Sequence, residues 1–390
     1  MHRNSREPSP SPAFWRPTTA AASAITLVAL PGFLLGAFAP QIKEELNFGD
    51  TELGALLTFG YLISSITMQV GGGIADRKGP LLILRVGIAI AAISALLTGS
   101  TADTYLTLLL CLGLNRVAEG MIHPATNTLI SIGVEPSRQG IAIAIKQSAV
   151  PLSTALAGFA VPTLGPILGW KGTFLILAIF AFPAWVLVPR VAVSTSETFP
   201  TRREMWSSRH LQAIGLAGAF SAAAVVTVSG FLTTAAKEAG YSDSSAGLIL
   251  GLGGFVMILS RLAWGYLADR FQFDRFRAVA TSLALGSIAF ILFAVGTKIT
   301  ILVGALFIFG IGWSWPGLLL LGVIEQHPEE PGAATATLQT SIRLGAMIAP
   351  VGFGAIIDAF GFSVAWLTAF SSTILGSLLM FAASRAIGRR

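Results

Sequence analysis

The chain has 390 residues, of which 54% are hydrophobic and 11% charged. Soluble domains carry about 25% charged residues, so a chain this poor in charge cannot cover a water-facing surface and is predicted to be solvated by lipid. The formal charge of +6 would suit nucleic acid only if the basic residues were clustered, and the single cysteine, Cys111, excludes an intrachain disulfide.

The first apolar run, 18–40, follows a basic start with Arg3, Arg6 and Arg16. "AFA" at 37–39 resembles a cleavage site. The run nevertheless outlasts the apolar core of about 7–15 residues in a signal peptide, so it is predicted to be retained as a membrane span. Spans follow at 52–73, 81–99, 104–133, 139–162, 170–189, 210–234, 244–267, 277–296, 299–324, 332–357 and 363–384, giving twelve. The predicted fold is an all-α membrane protein with twelve transmembrane helices in two pseudo-symmetric six-helix bundles. Residues 1–17 form an N-terminal tail and 18–189 the first half. The polar stretch 190–209 is the linker, 210–384 the second half and 385–390 a short tail.

The two halves repeat. "GIADR" at 73–77 returns as "GYLADR" at 265–270, Pro124 as Pro316, and "GW" at 169–170 as "GF" at 361–362, at offsets of 192 or 193. Six spans per repeat keep both halves in one orientation, so their pseudo-two-fold axis runs along the membrane normal, with a site between them at midplane. Of the 25 Lys and Arg, Lys43, Lys171, Lys237 and Lys298 fall on the side away from the termini, and Arg116, Lys146, Arg261 and Arg343 fall within spans. The remaining seventeen sit on the side of the termini. By the positive-inside rule both termini are then cytoplasmic, and the spread of basic charge over loops removes the case for nucleic acid.

Between the second and third spans, "GGIADRKGPLLIL" at 72–84 places Asp76 and Arg77 among glycines. Gly72, Gly73 and Gly79 are predicted to allow close approach and a turn. Asp76 is placed to accept from a helix N-terminus or a base. This stretch resembles the signature loop of the major facilitator superfamily, and "LNRVAEGMIHPA" at 114–125 resembles its fourth-helix motif. The resemblance covers 18–384 and implies alternating access, with Gly72, Asp76, Arg77, Gly79, Gly265, Asp269 and Arg270 as the conformational hinge. Pro80 and Leu81 replace the usual basic pair, and Gln272 replaces the second-copy glycine. The fifth span lacks the glycine-proline stretch of drug antiporters.

A charge at mid-membrane costs about 2.5–3.5 kcal/mol on insertion scales and marks function. Arg116 and Glu119 are spaced i, i+3 and can neutralise each other. They form either a structural pair or a proton-linked coupling site. His123 continues that face, as a packing histidine or a proton carrier. Lys146, Arg261 and Arg343 have no deep carboxylate left, so they are predicted to face a wet cavity that attracts an anion, unless protein carbonyls satisfy them. Arg261 and Arg343 are expected to stand at similar depth, where one carboxylate could bridge them. Gln147, Gln339 and Trp315 complete the candidate substrate site, with Phe33 and Tyr61 as further aromatic candidates. Pro316 is predicted to kink the tenth span, with Trp313 facing lipid. "RLAWG" at 261–265 resembles the eighth-helix arginine of the oxalate–formate antiporter and monocarboxylate transporters, Arg343 resembles the former's second cation, and "KQSAVP" at 146–151 resembles the cyanate–nitroimidazole branch.

The chain shows no H-E-x-x-H and no G-x-S-x-G, so neither an enzyme nor a metal or cofactor is expected. The predicted function is secondary transport of a small, carboxylate-like organic anion across a bacterial inner membrane. Protons or a counter-anion are its partners, and the protein is expected to be a monomer. The alternative is a drug or hydrophobic-solute exporter driven by proton antiport, which would call for excess acid in the cavity rather than excess base.

Overall fold

The computed structural model describes residues 14–189, 209–271, 273–327 and 331–387. Within these, the side chains at 76–78, 136, 209, 268, 269, 331–333, 336, 386 and 387 are outside the description. The linker expected at 190–209 lies outside it except for Arg209, which opens a helix.

The chain is all-α. The first half holds α1 (Trp15–Ala37), α2 (Ala39–Leu46), α3 (Asp50–Lys78), α4 (Pro80–Thr101), α5 (Tyr105–Gly133), α6 (Gln139–Gln147), α7 (Ala149–Thr163) and α8 (Gly165–Leu187). The second holds α9 (Arg209–Glu238), α10 (Asp243–Arg270), α11 (Arg275–Val295), α12 (Lys298–Phe307), α13 (Trp315–Gln326) and α14 (Pro331–Ile387). Among the described residues, eleven stretches are long and apolar enough to cross a membrane. The last of them lies in α14, whose 57 residues would rise about 85 Å if straight, far beyond a bilayer core of about 30 Å. It is two helices joined at a kink at Gly361, which brings the spans to twelve in two pseudo-symmetric bundles.

Helices dominate because lipid offers backbone groups no hydrogen bonds, so each span must satisfy its own. The repeat is visible in the local chemistry that ends and starts helices. Gly169 in α8 has φ 64° and Gly361 in α14 has φ 82°, a left-handed backbone that glycine adopts without a Cβ penalty. Asn47 and Gly240 turn their loops with φ 53° and 92°. Thr104 with Thr107, and Thr297 with Thr300, build matching caps in which each threonine hydroxyl takes a backbone N–H of the other. These pairs sit 192 or 193 residues apart, as the sequence repeat requires.

Two local expectations are corrected, and the kink expected beside Pro316 takes a specific form. Gly72 and Gly73 are not in the turn, because α3 runs on to Lys78. A Cβ on Gly72 would meet only Pro124, at 3.7 Å, and one on Gly73 would meet nothing, so Gly79, with φ 83°, makes the turn alone. The tenth span breaks before Pro316, where a π-helical stretch, Ile308–Gly312, inserts between α12 and α13. Ser282 donates to the carbonyl of Ile311 there at 2.6 Å, and Ser260 donates to that of Gly310. Trp313 is buried at 9% exposure and stacks on Phe309 instead of facing lipid.

The halves meet along α3 with α14 and along α7 with α10. Glycines permit the approach. A Cβ on Gly158 would stand 2.1 Å from the backbone nitrogen of Gly251, and one on Gly354 2.1 Å from the carbonyl of Asp50. Polar contacts join the halves at the face opposite the termini. Asp358 of α14 accepts from the backbone of Asp50 and Thr51 at 3.2 and 2.8 Å and from the Thr51 hydroxyl at 2.5 Å. Lys237 pairs with Glu44 at 3.5 Å, and Thr233 donates to the carbonyl of Gly36.

Candidate functional site

Arg116 and Glu119 lie one turn apart on α5, and Nη1 stands 2.6 Å from Oε2. Both are buried at 8% exposure. The guanidinium fills a slot made by glycines of two other helices. A Cβ on Gly32 of α1 would lie 2.2 Å from Nη2, and one on Gly60 of α3 2.8 Å from Nε. The Tyr61 ring lies 5.7 Å from the guanidinium carbon, a cation–π distance. His123 Nε2 is 3.9 Å from Glu119 Oε1, so the carboxylate has Arg116 on one side and the imidazole on the other.

Lys146, near the end of α6, is 3% exposed. Its ammonium donates to Oδ1 of Asn127, a neutral group on α5. Asn127 is one turn beyond His123 and therefore on the same helix face; its side chain is exposed. Arg343, from α14 in the other half, is partly buried and has no hydrogen-bond or ion-pair partner among the described residues. The structure thus brings Arg116, Glu119 and His123 together on α5 and holds Lys146 against the same helix through Asn127.

Arg261 makes its own bond across the halves. Pro151 has no N–H, so the carbonyl of Gln147, four residues earlier, has no helical donor. Arg261 Nη1 supplies one from the other half at 3.0 Å. Its Nε is buried without a partner.

Of the other predicted residues, Gln147 contributes its carbonyl, and Gln339 is exposed. Trp315 is buried at 2% in the second-half core, with its indole N–H unpaired. Phe33 packs against the large core cluster that draws on both halves, and Tyr61 bridges to a second cluster made of second-half residues. At the hinge, a Cβ on Gly265 would meet nothing within 4 Å, and Arg270 is exposed. The side chains of Asp76, Arg77 and Asp269 lie outside the described residues. Sequence reasoning missed Asn127, Gly32 and Gly60. Asn127 is uncharged and so escapes a count of buried charges, although its spacing from His123 is a signal. The two glycines carry no signal until Arg116 is seen between them.

A cleft of about 460 Å³ also opens between the halves on the face away from the termini. Its cations are already taken, Lys43 by Asp50 at 2.6 Å and Lys237 by Asp243 at 3.1 Å, so among the described residues it offers an anion no unpaired cation.

A sequence model described as "Major Facilitator Superfamily" matches residues 21–350. An uncharacterized MFS-type transporter of Mycobacterium tuberculosis is 27% identical over 346 residues, covering 84% of this chain and 76% of that protein. A probable L-galactonate transporter of Escherichia coli is 26% identical over 152 residues, 38% of this chain; the match spans only 33% of that protein's length. In fold, the chain is similar to a bacterial homolog of the human lysosomal transporter Spinster in an inward-facing, unoccupied conformation. The TM-score is 0.75 at 15% identity, over 97% of this chain and 98% of that one.

Proposed function

The chain belongs to the Major Facilitator Superfamily, and from that membership we propose that this multi-pass membrane protein is a secondary transporter. Its substrate is a small, carboxylate-like organic anion, moved by alternating access. The observation that carries the anion is the imbalance at the central site. Glu119, the one deep carboxylate there, is already bound to Arg116, while Lys146 has a neutral partner and Arg343 has no hydrogen-bond or ion-pair partner among the described residues. Buried cations without carboxylates are stabilised by an anion that the site itself does not supply. The printed name of the Escherichia coli relative, a transporter of a sugar acid, agrees with that chemistry.

In this proposal both termini are cytoplasmic, in the inner membrane of a bacterium, and the protein acts as a monomer. The polar contacts at the opposite face then close the outer side, and the structure is an inward-facing form. Glu119, between Arg116 and His123, is the proton-coupling carboxylate, unless a counter-anion drives exchange. Asp76 and Asp269 act in the hinge and not on substrate.

Uptake of radiolabelled organic acids into proteoliposomes, with and without an imposed pH gradient, tests the proposal. Saturable uptake of an acid, lost in Lys146→Gln and Arg343→Gln, is the expected result. Transport of neutral or cationic hydrophobic solutes, with no acid carried, would overturn it in favour of a drug exporter.

A further inference from the structure

We infer that Asn115 is a second seat for the Glu119 side chain, holding the protonated carboxyl as Arg116 holds the carboxylate. The inference rests on the reading of Glu119 as the proton-coupling group and names the residue that positions it.

The observation is an orphaned amide. Asn115 lies on α5 and is 1% exposed. Its Oδ1 and its Nδ2 are both buried without a hydrogen-bond partner among the described residues. Buried polar groups in folded proteins are paired in the great majority, and an apolar side chain of the same shape would avoid the cost of leaving one unpaired. Here an acceptor and a donor stand unpaired on one side chain. They match a partner that offers a donor and an acceptor together.

Glu119 meets that description once it is protonated. Side chains on a helix lean toward its N-terminus, over the residues three and four positions earlier. For Glu119 those are Arg116 and Asn115, which are adjacent in the chain and one turn back. Moving from one to the other takes rotation about the glutamate's own bonds and no movement of the backbone. The two seats differ in chemistry. Arg116 has a fixed charge and only donors, so it suits the carboxylate that it binds at 2.6 Å. Asn115 is neutral and has an acceptor beside its donors. It suits the carboxylic acid, whose O–H can donate to Oδ1 while its carbonyl accepts from Nδ2.

The charged and titratable groups around Glu119 are Arg116 and His123 on α5, Tyr61 on α3 beside the guanidinium, and Arg343 on α14. The two arginines favour the ionised carboxylate, and a neutral group that bonds the acid offsets them. His123 Nε2 stands 3.9 Å from Oε1, and Asn127, one turn further along, is exposed, so the proton arrives from that end of the row. One proton added to the carboxylate cancels its charge. Arg116 keeps its own charge and loses its partner, and Glu119 turns to Asn115.

The test is infrared difference spectroscopy of the purified full chain in detergent, titrated from about pH 9 to about pH 4. The Glu119 band is the protonated-carboxyl signal that Glu119→Gln removes. In wild-type protein it should be that of a hydrogen-bonded carboxyl. Asn115→Leu, close in shape and unable to bond, should move the band toward that of a free carboxyl. It should also lower the midpoint of the titration by about one pH unit or more, a tenfold weaker hold on the proton. The sign follows because the substitution removes bonds made only to the protonated form. If Asn115→Leu does not fold, Asn115→Ser, too short to make both bonds, should lower the midpoint in the same way. A purely structural asparagine would change the unfolding temperature and leave band and midpoint in place. That result would overturn the inference and leave the coupling role of Glu119 standing. If no titrating band is lost in Glu119→Gln, the coupling role fails and this inference fails with it.

Discussion

Arg261 Nη1 donates to the carbonyl of Gln147 at 3.0 Å, and this bond ties the second half to the first at the joint between α6 and α7. The acceptor is free because Pro151 cannot donate to it. A bond that joins the halves in one state must break or be replaced when they rock. The expected outcome for Arg261→Gln is therefore a change in transport rate larger than the change in substrate binding. Pro151→Ala restores an N–H that competes for the same carbonyl. The two substitutions should be non-additive in thermal stability, with a coupling of about 0.5–3 kcal/mol. Additive effects in that double-mutant cycle would show that the proline does not supply the acceptor.

The slot around Arg116 leaves no room for a methyl group. Gly60→Ala would put a Cβ 2.8 Å from Nε, and Gly32→Ala one 2.2 Å from Nη2. Each should cost about 1–3 kcal/mol by overpacking and displace the guanidinium from Glu119. Gly73→Ala, with open space around it, should be neutral. Thermal unfolding and uptake measured on the three variants check this ordering.

Glu119 is the carboxylate placed to carry a proton in the proposed mechanism. Glu119→Gln keeps the shape and removes the charge. It should abolish accumulation driven by a pH gradient and leave exchange of substrate across the membrane intact. Full gradient-driven uptake in that variant would reduce Glu119 to a structural partner of Arg116.

Asp358 caps the first turn of α3 from the other half, where backbone N–H groups and the helix dipole favour a negative charge. Asp358→Asn removes the charge and should populate a form open at that face. Spin labels at Leu168 and Phe360, both exposed near the two glycine kinks, should then show a longer distance population. An unchanged distance distribution would mean that the cap does not hold the face closed.

Glu45 lies outside the spans, where Lys171 reaches it at 2.8 Å and Trp170 donates to it at 2.6 Å. Burial opposes its ionisation, but those hydrogen bonds prevail and hold its pKa below the ordinary value of 4.5. A carboxylate with a lowered folded-state pKa contributes its stability fully above the unfolded value and loses it as pH falls through the folded one. The unfolding temperature of wild-type protein should therefore exceed that of Glu45→Gln at pH 7. The gap should close as pH is taken below about 4.5. The group is largely exposed, so the gap should be small.

The spans and the repeat could both be read in the sequence, because lipid imposes the spans locally. A spanning helix needs about 20 apolar residues in a row, whatever lies beside it. Gly169 and Gly361 declare themselves as repeat partners without a neighbour. The inventory of buried charges was legible for the same reason, since each is conspicuous in an apolar run. What the tertiary structure alone decided is who meets whom. Arg261 and Arg343 share a half and a charge, yet one ends on the Gln147 carbonyl of the other half and the other has no hydrogen-bond or ion-pair partner among the described residues. Asn127 became the partner of Lys146, and two glycines became the slot for Arg116. Those outcomes depend on the rotation of each helix about its axis and on which backbones approach closely. Helix rotation and packing are set by every contact in the bundle at once, and no single stretch of sequence encodes them.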